Sequence, residues 1–206
     1  MTHDKPFKRT RGPVSDEIKV QRKLERRSQL IGAAIQVYGE LGYRHASVRL
    51  VCERAGLTQR YFYESFAHSD ELLIACYQQV SRELQGEILL AANAAGREPK
   101  RRARAVLDAY FSALRRMPQA ANVFLVDIRG ISPQVDRAID DSLSVTGQEI
   151  ANAVFRREVE VDAMLLAGVM GGIIHIALRW VTSGYQPEVG SVVDAAFRLS
   201  SLILQE

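Results

Sequence analysis

One segment constrains the fold of this chain more than any other: HASVRLVCERAGLTQRYFYESF, residues 45–66. Ser47 is a favourable helix N-cap, because its hydroxyl can accept a hydrogen bond from a free backbone N–H of the first turn. Val48, Val51 and Cys52 follow at helical spacing and predict the buried side of that helix. The segment therefore begins with a short amphipathic helix.

A turn and a second short helix follow in the same segment. Ala55-Gly56-Leu57 interrupts the first helix, and Gly56 suits a turn position with positive φ. Thr58 is another favourable N-cap and predicts a helix that ends near Ser65. Two short helices joined by a three-residue turn that contains glycine are typical of a helix-turn-helix.

A longer amphipathic helix precedes this motif. Its apolar residues recur every three or four positions, and Gly42 predicts its C-terminal end. The apolar stripe comprises Leu30, Ile31, Ala34, Val37, Tyr38 and Leu41. Together with the motif, this helix predicts an N-terminal domain of three helices.

The chain from residue 69 onward also predicts helices. His68 or Ser69 caps a long helix that continues into the low 90s, and Asp70 and Glu71 suit the positive end of its dipole. Apolar residues at helical spacing predict further helices over 100–117, from Pro118, and over 133–157, 161–182 and 187–204. No strand alternation or hairpin dipeptide competes with this pattern. We therefore expect an all-α fold with about nine helices.

Charge is unevenly distributed along the chain. Residues 1–68 contain 13 Lys and Arg against 7 Asp and Glu, a balance of +6, and the remaining 138 residues contain 14 against 17, a balance of −3. A basic N-terminal third favours a polyanionic partner, although a solvated charged surface explains the count as well. Residues 1–16 lack an apolar period and predict a flexible basic arm, which carries Lys5, Lys8, Arg9 and Arg11.

The sequence has no pattern that indicates a metal site, a cofactor or catalysis. Its four histidines are scattered without metal-ligand spacing, and Cys52 and Cys76 are typical of reduced cytosolic thiols. It contains no G-x-S-x-G, no H-E-x-x-H, no glycine-rich phosphate loop and no paired nucleophile and base. Residues 163–181 approach the length of a membrane span, but His175 and Arg179 interrupt them. We expect a buried helix in a soluble, cytoplasmic protein.

The order of a basic arm, a helix, a helix-turn-helix and a long connecting helix resembles the TetR family of transcriptional repressors. The similarity covers residues 25–73 and rests on SVRLVCERAGLTQRYFYESFAHSDELL. Its pattern is a Ser or Thr cap, an A-G-[VL]-[ST] turn, an aromatic or aliphatic residue, Tyr, two variable residues and Phe. Two positions differ: Ser69 stands where the family often has a phosphate-contacting Lys, and Arg60 stands where it often has Gly.

The resemblance implies three parts and a DNA-binding role for the second. Residues 1–16 would be the arm, 17–68 the helix-turn-helix domain, and 69–206 a helical domain for ligand binding and dimerisation. In the major groove, Gln59 can pair with adenine and Arg60 with guanine. Phe62 and Phe66, four residues apart, would instead hold this helix against the core. The residues expected to contact DNA are Ser47, Arg49, Thr58, Gln59, Arg60, Tyr61, Tyr63 and Ser69. The arm either contacts DNA as well or remains a solvated tail.

The C-terminal helices would supply the dimer contact and the effector pocket. A palindromic operator needs two recognition helices, and we expect the last two helices to form the homodimer. Gly168, Gly171 and Gly172 permit close helix approach, and the apolar residues of the last helix are Val193, Ala196, Phe197 and Leu199 to Leu204. Candidate pocket residues, each of which is more often an ordinary core or surface residue, are Tyr110, Phe111, Phe124, Asn152, Phe155, His175 and Arg179, with Asp127 and Arg129 as further polar options.

These observations favour a ligand-responsive regulator. It would be a repressor that binds double-stranded DNA at a palindromic operator as a homodimer and is released by a small-molecule effector of unknown identity. A constitutive architectural DNA-binding dimer without an effector is the alternative, and a helical enzyme fits less well.

Overall fold

A computed structural model of the chain describes residues 13–126, 128, 130–158 and 160–204. Within those residues it contains nine α-helices, one short 3-10 helix at Tyr43–His45 and no β-strand, which confirms the predicted fold class. The α-helices are α1 Pro13–Leu41, α2 Val48–Ala55, α3 Gln59–Tyr63, α4 Ser69–Ala94, α5 Pro99–Arg116, α6 Pro118–Leu125, α7 Pro133–Phe155, α8 Ala163–Thr182 and α9 Val189–Ser200.

Local chemistry sets the ends of the helices in the helix-turn-helix. The Ser47 hydroxyl accepts from the backbone N–H of Leu50 at 3.2 Å, which confirms the predicted cap of α2. Gly56 ends α2 in the left-handed region with φ of 66°, as its position in the turn predicts. Thr58 occupies the N-cap position of α3 but makes no side-chain capping hydrogen bond. His68 is the cap of α4, because its Nδ1 accepts from the backbone N–H of Glu71 at 3.3 Å.

Two hydrophobic cores lie along the molecule, and α4 contributes to both. The N-terminal core contains the buried stripe of α1 together with Val51, Phe62, Phe66 and the first half of α4. The C-terminal core joins the second half of α4 to α5, α6, α7, α8 and α9. On α4, Leu72, Leu73, Cys76 and Tyr77 belong to the first core, and Val80, Leu84, Ile88 and Ala92 to the second. One continuous helix therefore connects the helix-turn-helix to the C-terminal bundle.

Two predicted boundaries and the predicted burial of one residue differ from the structure. α1 begins at Pro13, inside the predicted arm 1–16, because proline favours the first turn of a helix and has no N–H to leave unpaired there. Leu41, at the end of the predicted apolar stripe, is exposed. α9 ends at Ser200 rather than at 204, and residues 201–204 form turns.

The prediction of a buried helix over residues 163–181 is wrong. α8 is the one described helix that is long and apolar enough to cross a membrane by length and composition, yet only 28% of its most apolar stretch is buried. Val169, Ile173, Ala177 and Trp180 face the C-terminal core. The opposite face is exposed and comprises Met164, Ala167, Gly168, Gly171, His175 and Arg179. α8 therefore has one buried and one open face.

Candidate nucleic-acid interface and interior cavity

The recognition helix α3 buries one side and exposes the other. Phe62 and Phe66 are buried in the N-terminal core, as their spacing predicts, with ring centroids 5.8 Å apart. Thr58, Gln59 and Arg60, at the start of the helix, are exposed. The first turn of α3 therefore presents polar side chains outward, which is the arrangement that contact with base edges requires.

Arg60 has the most accessible charge of this surface. Its side chain is 84% exposed, and its Nε donates to the Glu64 carboxylate one turn later at 3.0 Å. A solvent-exposed pair of this kind contributes little free energy, so the guanidinium can exchange Glu64 for a phosphate or a guanine.

The two tyrosines of α3 have different surroundings. Tyr63 is 61% exposed, and the edge of its ring packs against Phe62 with centroids 5.1 Å apart. Tyr61 is only half-buried, and the Arg26 guanidinium carbon lies 4.4 Å from the centroid of its ring. Although Tyr61 is among the residues expected to contact DNA, α1 covers part of its ring.

Two arginines of α1 fix the position of the recognition helix. The Arg27 Nη1 donates to the Ser65 carbonyl at 2.8 Å, and its guanidinium carbon lies 4.1 Å from the Phe66 ring centroid. Arg26 approaches the Glu64 carboxylate at 3.9 Å in addition to covering Tyr61. Sequence reasoning missed both residues, since they lie outside the apolar stripe and counted only as part of the basic excess.

The remaining predicted DNA-contact residues lie at helix starts or outside the described residues. Ser47 and Arg49 are exposed at the start of α2, and the Arg49 Nε donates to Glu53 at 2.7 Å. Ser69 is half-buried as the first residue of α4. The arm residues Lys5, Lys8, Arg9 and Arg11 lie outside the described residues.

A cavity of about 120 Å³ lies in the C-terminal bundle. Its wall includes residues from α4, α5, α6, α7 and α8 and from the turns after α9, and it is almost entirely apolar. Three of the candidate pocket residues line it: Tyr110, Phe124 and Phe155. Phe124 also stacks on Tyr77 with ring centroids 5.1 Å apart, so the cavity adjoins the half of α4 that packs behind the helix-turn-helix.

Four other candidate pocket residues do not line this cavity. Phe111 is buried beside it and packs edge-on against Trp180, with ring centroids 5.6 Å apart. The Asn152 side chain accepts from the Gln148 amide at 3.0 Å. His175 and Arg179 lie on the open face of α8, because a step of two residues from the inward-facing Ile173 and Ala177 reverses the direction of a side chain on a helix. The further options Asp127 and Arg129 lie outside the described residues.

Two buried hydroxyls on the cavity wall have no hydrogen-bond partner. They are the Ser81 Oγ on α4 and the Tyr110 hydroxyl on α5. Burial, with a smaller effect from Tyr77, raises the pKa of Tyr110 far above its usual value, so the phenol remains protonated. Among the described residues, no group of three or more His, Cys, Asp or Glu side chains could hold a metal ion.

Comparison with known proteins agrees with the geometry of the N-terminal region. The sequence model of bacterial regulatory proteins of the tetR family matches residues 30–76. The HTH-type transcriptional regulator BetI of Stenotrophomonas maltophilia is 35% identical over 86 residues, which span 42% of this chain and 44% of that protein. The HTH-type transcriptional activator FasR of Mycolicibacterium smegmatis is 24% identical over 183 residues, or 85% of this chain and 81% of that protein.

Solved structures share the fold over nearly the whole length. The fatty acid degradation regulator FadR from Bacillus halodurans superposes with a TM-score of 0.72 at 18% identity, covering 93% of this chain and 96% of its own. The transcriptional regulator FadR from Bacillus subtilis, solved in complex with stearoyl-CoA, gives a TM-score of 0.71 at 18% identity, covering 84% and 96%. The family and these relatives are regulators rather than enzymes. The helix-turn-helix region of this chain, residues 30–76, therefore belongs to the tetR family of regulatory proteins, and the chain as a whole shares the fold of these solved regulators.

Proposed function

We propose that this regulator is a repressor that binds a palindromic operator as a homodimer and is released by a small-molecule effector. The observation that carries the proposal is the double role of α4. Its first half packs behind the recognition helix, and its second half forms a wall of the cavity. A molecule that changes the position of α4 would therefore also change the position of α3.

The effector-responsive role is favoured over a constitutive architectural role by the cavity itself. A bundle that served only dimerisation would gain nothing from an unfilled apolar space with two unpaired hydroxyls in its wall. The FadR relative from Bacillus subtilis was solved with stearoyl-CoA, and by analogy we propose an effector with an aliphatic portion.

The proposed mechanism uses the stacked rings of Tyr77 and Phe124. They join α4 to α6 at the end of the cavity nearest the helix-turn-helix. An effector that separates or tilts these rings would favour a state with an altered distance between the two recognition helices of the dimer. Because coupling between two binding sites is reciprocal, DNA would weaken effector binding by the same factor.

The protein would act in the cytoplasm, where its operator lies. The proposed homodimer uses the open face of α8. Of the apolar residues that the sequence assigned to the last helix, Val193 and Ala196 are buried in their own bundle, whereas Leu202 remains 49% exposed. Gly172 already packs against α9 of its own chain, because a Cβ placed there would lie 2.5 Å from the Leu199 side chain. Gly168 and Gly171, in contrast, face open space. The basic arm would add phosphate contacts, and the α3 surface would supply base contacts.

The Arg60 side chain is exposed, so its substitution leaves the packing of the fold intact and tests DNA recognition alone. Arg60→Ala should weaken binding to the selected operator by about 1–3 kcal/mol and relax the preference at one base pair. Fluorescence anisotropy with a palindrome selected from random DNA measures both effects.

Arg97→Ala is the matched control, because Arg97 is an exposed arginine beyond the end of α4, remote in sequence from the helix-turn-helix. It should bind the operator as the unaltered protein does. Equal affinity and equal base preference in Arg60→Ala would show that α3 does not recognise bases through this residue.

A further inference from the structure

The wall of the cavity restricts what can enter it. Among the described residues that line it, none carries a carboxylate, an ammonium, a guanidinium or an imidazole. Bringing an isolated ion into such surroundings costs several kcal/mol, because no opposite charge replaces its water. The part of an effector that occupies the cavity must therefore be uncharged.

The unpaired hydroxyls indicate that this uncharged part is not purely apolar. Most buried polar atoms in proteins have a partner, and leaving a hydroxyl unpaired has a cost that a ligand can remove. The Ser81 Oγ and the Tyr110 hydroxyl are buried without one, and both residues line the cavity. Two other polar lining groups are occupied: the Gln85 amide donates to Glu149, and the Ser200 hydroxyl donates to the Phe197 carbonyl at 2.8 Å.

Ser81 lies toward one end of the cavity wall, and Tyr110 lies close enough to Tyr77 of the same end for that phenol to influence its pKa. Tyr77, Ser81 and Ile88 all line the cavity from α4, and the eleven steps along the helix from Tyr77 to Ile88 extend about 16 Å at 1.5 Å per residue. Tyr77 also belongs to the N-terminal core, so the end near Ser81 is the end closer to the helix-turn-helix. The other end has only apolar contacts from α4 and α5, at Ile88 and Ala103.

We infer that the effector of the proposed repressor places an uncharged aliphatic chain in this cavity and accepts hydrogen bonds through a carbonyl from Tyr110 and Ser81. This inference rests on the proposed function and names the chemical class of its ligand. Both hydroxyls donate, so an ester or ketone oxygen satisfies them where an alkane leaves them unpaired. Any charged group of the effector lies outside the cavity.

The test uses three probes of matched chain length and different charge: methyl decanoate, decanoate and decyltrimethylammonium. Isothermal titration calorimetry on the full chain should show that methyl decanoate binds at least tenfold more tightly than either ion. Tyr110→Phe and Ser81→Ala should each weaken the ester by roughly three- to tenfold, the effect expected of one lost hydrogen bond. Tyr110→Phe should at the same time leave the Tm of the free protein unchanged or raise it, because the hydroxyl that it removes has no partner there.

Tyr185→Phe is the control, since the Tyr185 hydroxyl donates to the Leu114 carbonyl at 3.3 Å and Tyr185 is not part of the cavity wall. It should leave ester affinity unchanged. The inference is overturned if an ion binds best, if none of the three probes binds, or if Tyr110→Phe binds the ester as tightly as before.

Release of operator DNA is a separate readout that tests the proposed function. If methyl decanoate binds with the predicted dependence on Tyr110 but does not release the operator in an anisotropy assay, the cavity chemistry stands and the effector role fails. If the probes release DNA without any dependence on Tyr110, the effector role stands and the inference fails.

Discussion

Arg102 is a cation that is 1% exposed and whose hydrogen-bond partners in the described part of the chain are all uncharged. Its Nε and Nη2 donate to the Ala153 carbonyl at 2.8 and 2.6 Å, and its Nη1 donates to the Gly96 carbonyl at 3.0 Å. These carbonyls belong to the C-terminal ends of α7 and α4, which carry partial negative charge. Arg102 thus joins three helices, because it extends from α5 to the ends of two others.

Arg102→Met should therefore lower the free energy of unfolding by about 2–4 kcal/mol, although it keeps an aliphatic chain of similar length. The loss comes from carbonyls left buried without a donor. Urea denaturation followed by circular dichroism measures it, provided that the slope with urea is unchanged. Arg101→Met, at the exposed neighbouring arginine, should stay within about 0.5 kcal/mol of the unaltered protein. If the free energy of unfolding of Arg102→Met falls by less than about 1 kcal/mol, water donates to these carbonyls in place of the guanidinium.

At the scale of elements, α1 and α6 make a close helix contact between the N-terminal domain and the C-terminal bundle. A Cβ at Gly39 of α1 would lie 2.5 Å from the Gln119 Cβ and 2.6 Å from its backbone. The Asn122 side chain of α6 donates to the Gly39 carbonyl at 3.1 Å. α6 also carries Phe124 of the cavity wall, so this contact is a second connection between the cavity and the helix-turn-helix.

Two glycine-to-alanine substitutions in α1 distinguish the effect of the close approach of α6 from the effect of helix propensity. Gly39→Ala should destabilise the protein by about 1–3 kcal/mol, since the backbone of Gln119 has to move. Gly32→Ala should instead stabilise it by about 0.5–1 kcal/mol, because an added Cβ meets nothing within 4 Å and alanine favours the helix. Thermal unfolding of the two variants side by side is the measurement. Stabilisation by Gly39→Ala would show that α1 and α6 are not in contact in solution.

The elements that could be predicted from sequence are those with local causes. The cap at Ser47 and the turn at Gly56 depend on neighbours within a few residues, and the shared face of Phe62 and Phe66 follows from their spacing of four residues. The contact of Gly39 with Gln119 depends on residues 80 positions apart, and no local pattern marks it. The orientation of α8 was not predictable for another reason. That helix is apolar on nearly every side, so its periodicity does not show whether Ile173 or His175 faces the core.

At the scale of the whole molecule, the open face of α8 is the surface that most needs a partner. Met164 on this face is 81% exposed, and small residues surround it. Contiguous exposed apolar surface is uncommon on proteins that function as monomers. A second copy of the chain is the partner that a palindromic operator requires, and small residues allow two α8 helices to approach closely.

Gly171→Glu tests this assignment without disturbing the fold of one chain. A Cβ at Gly171 meets nothing within 4 Å, so the single chain should remain folded, whereas a glutamate side chain at the centre of the α8 face would prevent the close approach of two α8 helices and would bring a carboxylate into their contact. We expect sedimentation velocity to show a shift from dimer to monomer and anisotropy to show weaker operator binding, because each half-site is then bound independently. Gly86→Glu makes the same change at an equally unobstructed glycine of α4 and should remain dimeric. If Gly171→Glu remains a dimer of unchanged affinity, the two chains associate through another surface and the open face of α8 needs a different occupant.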